Sequence, residues 1–166
     1  MLKEKIEADF KEFYKEKKET EVSVLRLLRA DILNKEKEKR YQLSKKNPGL
    51  NDKELGKKSI LIDDEVLDII LSRSKKSEEA IAGFEKGKRD DLVEKEKQEL
   101  EFLKKYMPQQ LSEEELKKLA EEAVREIKAE NIKDMGKVMS ELMPKVKGKT
   151  SGALISKIVR ELLSQS

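Results

Sequence analysis

Apolar residues recur along this chain at intervals of three and four positions, which is the spacing of one face of an α-helix. The first stripe begins at Leu2, and a second follows Thr20, which we expect to cap its helix. Residues 47–58 carry no clear stripe and begin with Asn-Pro-Gly. We therefore predict a loop there, with at most one short turn of helix.

Two further stripes are predicted to pair as an αα-hairpin. One begins at the aspartate pair 63–64 and stops at Gly87, and the other begins at the pair 90–91 and ends at Pro108. Because carboxylates suit the start of a helix, these pairs need no metal to explain them. The first four stripes together predict an elongated N-terminal helical hairpin or bundle domain, residues 1–107.

The segment after the hairpin marks a domain boundary. Pro-Gln-Gln at 108–110 interrupts the pattern, and Ser112 with Glu115 three residues later forms a capping box. Residues 108–166 then predict a compact three-helix module. Its predicted helices run from Ser112 to about Glu130, where Asn131 is the expected left-handed stop, from Asp134 to Pro144, and onward from Ser151.

The composition narrows both fold and chemistry. Charged residues make up 44% of the chain and hydrophobic residues only 36%, so the apolar side chains must lie on narrow helical stripes, and the fold class is predicted to be all-α. The absence of Cys and His removes thiolate nucleophiles, imidazole bases and most zinc and haem sites. We expect no catalytic residues, no cofactor and no metal.

No apolar run approaches the roughly 18 residues that cross a bilayer, so we expect no membrane association and a cytoplasmic location. The formal net charge is only +3. Any surface that binds anions must therefore come from local clustering of bases.

Bases do cluster near the C-terminus, where residues 136–160 contain six of them against Glu141 alone. Three lie on the short connector 145–149, which contains a glycine and precedes a helix N-terminus with free amide donors, an arrangement that suits phosphate. A glycine bend is required to aim alternate lysines at one ligand, and a solvated loop without a ligand is the open alternative. The predicted phosphate-binding residues are Lys137, Lys145, Lys147, Lys149, Lys157 and Arg160.

Two segments of the predicted module also resemble a known family. DMGKVM at 134–139 and PKVKGK at 144–149, followed by Gly152, closely resemble the YqeY family, small bacterial proteins named with the GatB/YqeY tail domain. Supporting matches lie at 23–26, 89–92 and 106–116. The stretch from about 40 to 62 is longer than is usual for the family.

The resemblance implies a three-helix tail like the one that ends the B subunit of tRNA-dependent amidotransferase, where the tail helps to hold tRNA. A similar module extends some glutaminyl-tRNA synthetases, and the family is associated with glutamine-dependent carbon–nitrogen ligases. The resemblance carries over four basic positions, whereas the bases at 157 and 160 come from the charge distribution alone. The matching positions are Lys137, Lys145, Lys147 and Lys149.

Three functions follow as hypotheses. The first is a non-catalytic accessory protein that binds tRNA through phosphate contacts. The alternative is a protein-interaction module that docks an amidotransferase or an aminoacyl-tRNA synthetase. The third is an amide ligase in its own right, for which the sequence offers neither a nucleophile nor a nucleotide-binding motif.

Overall fold

The computed structural model describes residues 1–164, and the fold in this range is all-α, as predicted, with no strand. The last two positions of the predicted tail domain lie outside these residues. The chain divides into two compact units, which we call the N-terminal unit, Met1–Tyr106, and the C-terminal unit, which begins at Met107. Within the described part of the chain, no helix combines the length and the apolar character needed to cross a membrane.

The N-terminal unit contains five helices. They are α1 (Leu2–Lys15), α2 (Glu19–Lys46), α3 (Asp52–Ser59), α4 (Asp63–Lys86) and α5 (Asp90–Lys104). The predicted cap at Thr20 is wrong, because α2 begins at Glu19 and Lys18 occupies the cap position without a side-chain hydrogen bond. Helix α2 contacts each of the other four helices and is therefore the centre of this unit.

Helix α3 replaces most of the predicted loop at 47–58. Asn51 begins it with a capping box, since its side chain accepts a hydrogen bond from the backbone N–H of Glu54 at 3.0 Å, and the Glu54 carboxylate accepts one from the backbone N–H of Asn51 at 3.0 Å. Leu55 is buried and anchors the helix. The cap and this one anchor explain a helix that lacks a full apolar stripe.

Helices α4 and α5 pack against each other across the short turn 87–89. The aspartate pairs 63–64 and 90–91 lie in the first turns of these helices, and the cap positions are occupied by Ile62 and Arg89. Gly87 follows the end of α4 as predicted, yet its φ is −80°, and the left-handed conformation falls on Lys88, with φ 54°.

The core of the N-terminal unit is aliphatic, with aromatic residues at one end. Phe102 and Tyr106 meet edge to face with ring centroids 5.6 Å apart, and Phe102 also meets Phe13 at 5.8 Å. Burial of the aliphatic and aromatic side chains together supplies the main stabilisation of the unit. Its largest fully buried residues are Ile6, Leu25, Leu28, Val66, Ile70 and Leu103.

The C-terminal unit contains α6 (Glu113–Glu126), a 3₁₀ turn (Ile132–Asp134), α7 (Met135–Val146) and α8 (Gly152–Ser164). Each of its three α-helices contacts the other two. The predicted caps at Ser112 and Ser151 are confirmed, since both hydroxyls accept backbone hydrogen bonds at 3.2 Å. The core of the unit contains Leu116, Ala120, Val138, Leu142, Ile155 and Val159.

Two predicted helix ends in this unit are wrong. Helix α6 ends at Glu126, because Lys128 adopts the left-handed conformation, with φ 52°, whereas Asn131 is extended and accepts a hydrogen bond from Lys133 in the 3₁₀ turn. Helix α7 continues through Pro144 to Val146. Proline removes one hydrogen bond from the last turn, but the fully buried Val146 holds that turn against the core.

Candidate phosphate-binding surface

The connector between α7 and α8 has the bend that its lysines require. Gly148 is buried and has a φ of 73°, a left-handed conformation in which glycine is favoured. The carbonyl of Gly148 accepts a hydrogen bond from Gln110 Nε2 at 2.8 Å, and the carbonyl of Lys149 accepts one from the backbone N–H of Leu111 at 2.8 Å. The segment before α6 therefore fixes the shape of the connector.

Lys145 is opposed by two carboxylates of its own unit. Its Nζ lies 2.9 Å from Glu126 and 3.0 Å from Glu141. Both hydrogen bonds raise the pKa of Lys145, and the one to Glu126 has the larger effect. The local count of charges along the sequence found only Glu141. Glu126 belongs to α6 and comes close only when the three helices pack.

The other two connector lysines are also held by the unit. Lys149 is half-buried, and its Nζ donates a hydrogen bond to the carbonyl of Lys145 at 3.0 Å. Lys149 thus satisfies a carbonyl that the end of α7 leaves without a partner in the helix. Lys147 follows the last residue of α7, is half-buried and also has an interaction partner.

Lys137 lies near the start of α7, apart from the connector. Its Nζ pairs with Asp134 at 2.9 Å, and this hydrogen bond raises the pKa of Lys137 and lowers that of Asp134. The side chain is nonetheless 73% exposed. Eight residues separate Lys137 from Lys145, a rise of about 12 Å along the helix.

The two bases that came from the charge distribution alone are both exposed. Ile155, Ile158 and Val159 face the core, so Lys157 and Arg160, three residues apart, lie together on the outer face of α8. Lys157 is 65% exposed and lies 3.9 Å from Glu161. Arg160 is exposed and forms no ion pair within residues 1–164.

The structure therefore separates the six predicted bases into three groups. The first group lies at the end of α7 and contains Lys145, Lys147 and Lys149. The second group, Lys157 and Arg160, lies on the outer face of α8. Lys137 stands alone, about two helical turns from the connector. Sequence reasoning missed Gln110, which ties the connector in place. Its position in the Pro-Gln-Gln segment was the available signal.

A substitution tests the bend directly. Gly148→Ala is expected to lower the free energy of unfolding of the C-terminal unit by about 1 kcal/mol, because alanine is strained at this φ. Gly136→Ala is the matched control: nothing lies within 4 Å of an added Cβ, and the position is helical, so this variant should be about 0.5 kcal/mol more stable. Chemical denaturation followed by far-ultraviolet circular dichroism measures both. Equal effects from the two glycines would contradict the assignment.

The helices and the connector define the class: an all-α protein whose final three helices carry a glycine-bent, lysine-bearing connector. The family described as Yqey-like protein matches residues 3–163, and the chain therefore belongs to the YqeY-like family. The chain is also similar to altered inheritance of mitochondria protein 41, mitochondrial, from Pyrenophora tritici-repentis (strain Pt-1C-BFP). The two are 26% identical over 162 residues, which cover 96% of this chain and 79% of that protein. The name of that relative refers to mitochondria, so a cytoplasmic location stays a prediction for this chain.

Proposed function

We propose that this protein is a non-catalytic accessory protein that binds tRNA through phosphate contacts made by its C-terminal unit. The observation that carries the proposal is the outer face of α8, where Lys157 and Arg160 are exposed one turn apart. Within residues 1–164 Arg160 has no opposing carboxylate, so it is free to contact phosphate. Such contacts depend on the shape and charge of the RNA rather than on base sequence.

The connector lysines have a different role in this proposal. A phosphate that approached Lys145 would have to displace Glu126 and Glu141, both already at hydrogen-bond distance. Lys149 would have to release the carbonyl of Lys145. We therefore assign first contact to Lys157 and Arg160, and we assign Lys145, Lys147 and Lys149 to holding the connector and adding charge beside it. Lys137 is exposed but already paired with Asp134, so we assign it a supporting contact.

A second function, docking an amidotransferase or an aminoacyl-tRNA synthetase, is favoured by one observation on the N-terminal unit. Leu27 and Leu33 of α2 are 45% and 50% exposed and lie on the same side of the helix, where they offer apolar area to a partner. Amide-ligase activity by this chain alone is not proposed, because the sequence has neither Cys nor His and so offers no thiolate nucleophile and no imidazole base.

The test is a titration of total tRNA with the purified protein at a series of salt concentrations. Lys157→Ala/Arg160→Ala is expected to weaken binding about tenfold at low salt and to make the slope of log K against log salt shallower by about 1 to 2, because two phosphate contacts are lost. Changing Lys145, Lys147 and Lys149 together to Ala should alter the slope less and lower thermal stability more.

The matched control is Lys75→Ala/Lys76→Ala on α4. Lys75 also lies 3.9 Å from a glutamate four residues later, and both lysines are exposed, so this variant removes the same charge in the same setting. It should keep the affinity within about twofold, as expected for charges outside the interface. Affinity that is insensitive to salt, or equal losses in the two double variants, would overturn the proposal.

A further inference from the structure

Helix α2 has apolar residues on two opposite sides. One side, with Leu25, Leu28 and Ile32, is buried against the rest of the N-terminal unit. The other side leaves Leu27 45%, Leu33 50% and Tyr41 60% exposed. A helix that only supports its own core needs one apolar face, so the second face is not explained by the fold of this unit.

From residue 23 onward, the charges on the exposed side of α2 have a single sign. At about 100° per residue, positions 23, 26, 27, 30, 33, 34, 37, 41 and 45 fall within one arc of about 120°, and all of them are exposed. From residue 23 to residue 45 these nine positions contain Arg26, Lys37 and Lys45 and no carboxylate, although the chain has 35 acidic residues against 38 basic ones. Glu19, the first residue of α2, falls in the same arc but precedes them. We call these nine positions the α2 outer face.

The acids of α2 that lie beside this arc are engaged elsewhere. Asp31 pairs with Arg73 of α4 at 2.6 Å, and Glu38 pairs with Lys35 at 2.8 Å. Arg26 and Lys37, in contrast, form no ion pair within residues 1–164. The α2 outer face therefore offers cations beside exposed leucines, with no acid among its nine positions to neutralise them.

A cavity of about 430 Å³ continues this face at its N-terminal end. It lies where α1 turns into α2, and Tyr14, which is 63% exposed, lines it together with Lys17 and Val22. Ser23 and Arg26 belong both to the cavity and to the α2 outer face. Lys18 and Glu19 also line the cavity, but Lys18 already pairs with Glu16 at 2.7 Å. The cavity can accept an anchoring side chain at one end of the face.

We propose that the α2 outer face binds an acidic amphipathic helix of a partner protein. The apolar stripe of that helix would cover Leu27, Ala30 and Leu33, and its flanking carboxylates would pair with Arg26 and Lys37. Charge complementarity selects this occupant, because a basic partner would be repelled and RNA would leave the leucines uncovered. From 23 to 41 the face is about 27 Å long, which matches a helix of about 18 residues.

The test uses three synthetic helical peptides of about 18 residues, a length that matches the face. The first has leucines at helical spacing with glutamate flanks, the second keeps the leucines but has lysine flanks, and the third keeps the glutamates but has glutamine in place of leucine. Fluorescence anisotropy with the full chain measures binding. The first peptide should bind at least about tenfold more tightly than either of the others, because apolar burial and charge pairing both contribute.

Variants of the face locate the binding. Leu27→Gln/Leu33→Gln should weaken binding of the first peptide about tenfold, and Arg26→Glu/Lys37→Glu should weaken it about as much while improving binding of the lysine-flanked peptide. The matched control is Ile132→Gln/Met143→Gln, which removes apolar residues of 47% and 40% exposure from the C-terminal unit and should leave binding unchanged. Circular dichroism confirms that each variant is folded.

The outcomes separate this inference from the proposed function. Binding of tRNA by Arg26→Glu/Lys37→Glu should equal that of the unmodified chain. If this variant loses tRNA but keeps the first peptide, the face is an RNA surface and the inference is overturned. It is equally overturned if all three peptides bind alike, or if the control variant weakens binding as much as Leu27→Gln/Leu33→Gln does.

Discussion

Replacing Leu142 by Ala is expected to lower the free energy of unfolding of the C-terminal unit by about 3 kcal/mol. Leu142 is fully buried in the cluster that joins α6, α7 and α8, and truncation leaves a cavity that the neighbouring side chains cannot fill. A unit of this size has only a few kcal/mol of stability. Most of that stability would be lost, and with it the tRNA binding that we propose.

Hydrogen exchange over residues 113–164, followed by mass spectrometry, measures this effect in the intact chain. Every Phe and Tyr lies before Met107, so tyrosine fluorescence reports on the N-terminal unit alone and serves as an internal control that should not change. Met143→Ala is the matched variant, since this neighbour is 40% exposed and should cost less than about 1 kcal/mol. Similar losses from Leu142 and Met143 would contradict the assigned core.

The sequence pattern identified the helices of the C-terminal unit because each has a strong apolar stripe, and because α6 and α8 also have serine caps. The same pattern predicted the wrong ends for α6 and α7, and each error has a physical cause. The left-handed residue after α6 is Lys128, although glycine or asparagine is the usual signal, and Pro144 does not stop α7 because Val146 beyond it is fully buried. Tertiary packing overrode the local rules in the second case.

Helix α3 was missed because it has a single buried leucine and therefore no periodicity to detect. The signal that would have found it is the pair Asn51 and Glu54, three residues apart, which forms a capping box. Local capping chemistry was present in the sequence, but the apolar pattern that normally supports it was not.

The candidate site was only partly accessible to sequence reasoning. Local geometry predicts that the connector lysines require a glycine bend, and Gly148 forms this bend. The pairing of Lys145 with Glu126 could not be read from the sequence, because the two residues are separated by 19 positions and belong to different helices. We therefore place the proposed phosphate contacts on Lys157 and Arg160 rather than on the connector, and sequence reasoning included both residues without ranking them first.

The second large effect is expected for Tyr106→Phe, which should lower the free energy of unfolding of the N-terminal unit by about 2 kcal/mol. The hydroxyl of Tyr106 donates a hydrogen bond to the Asp9 carboxylate at 2.7 Å, and the side chain is only 4% exposed. Phe keeps the edge-to-face contact with Phe102 but leaves Asp9 without its donor. Tyr14→Phe, at a side chain that is 63% exposed, should change stability by less than about 0.5 kcal/mol.

Alkaline pH gives this interaction a distinctive signature. Burial, and then the hydrogen bond to Asp9, raise the pKa of Tyr106 far above its ordinary value of 10.0. A raised pKa means that the folded chain keeps a proton that the unfolded chain releases, so the contribution is full below pH 10 and is lost progressively as the pH rises beyond it. Urea denaturation at a series of pH values should therefore show a steeper fall above pH 10 in the unmodified chain than in Tyr106→Phe. Parallel curves for these two chains would mean that the Tyr106 hydroxyl ionises as readily in the folded chain as in the unfolded one, and the assigned hydrogen bond would then be wrong.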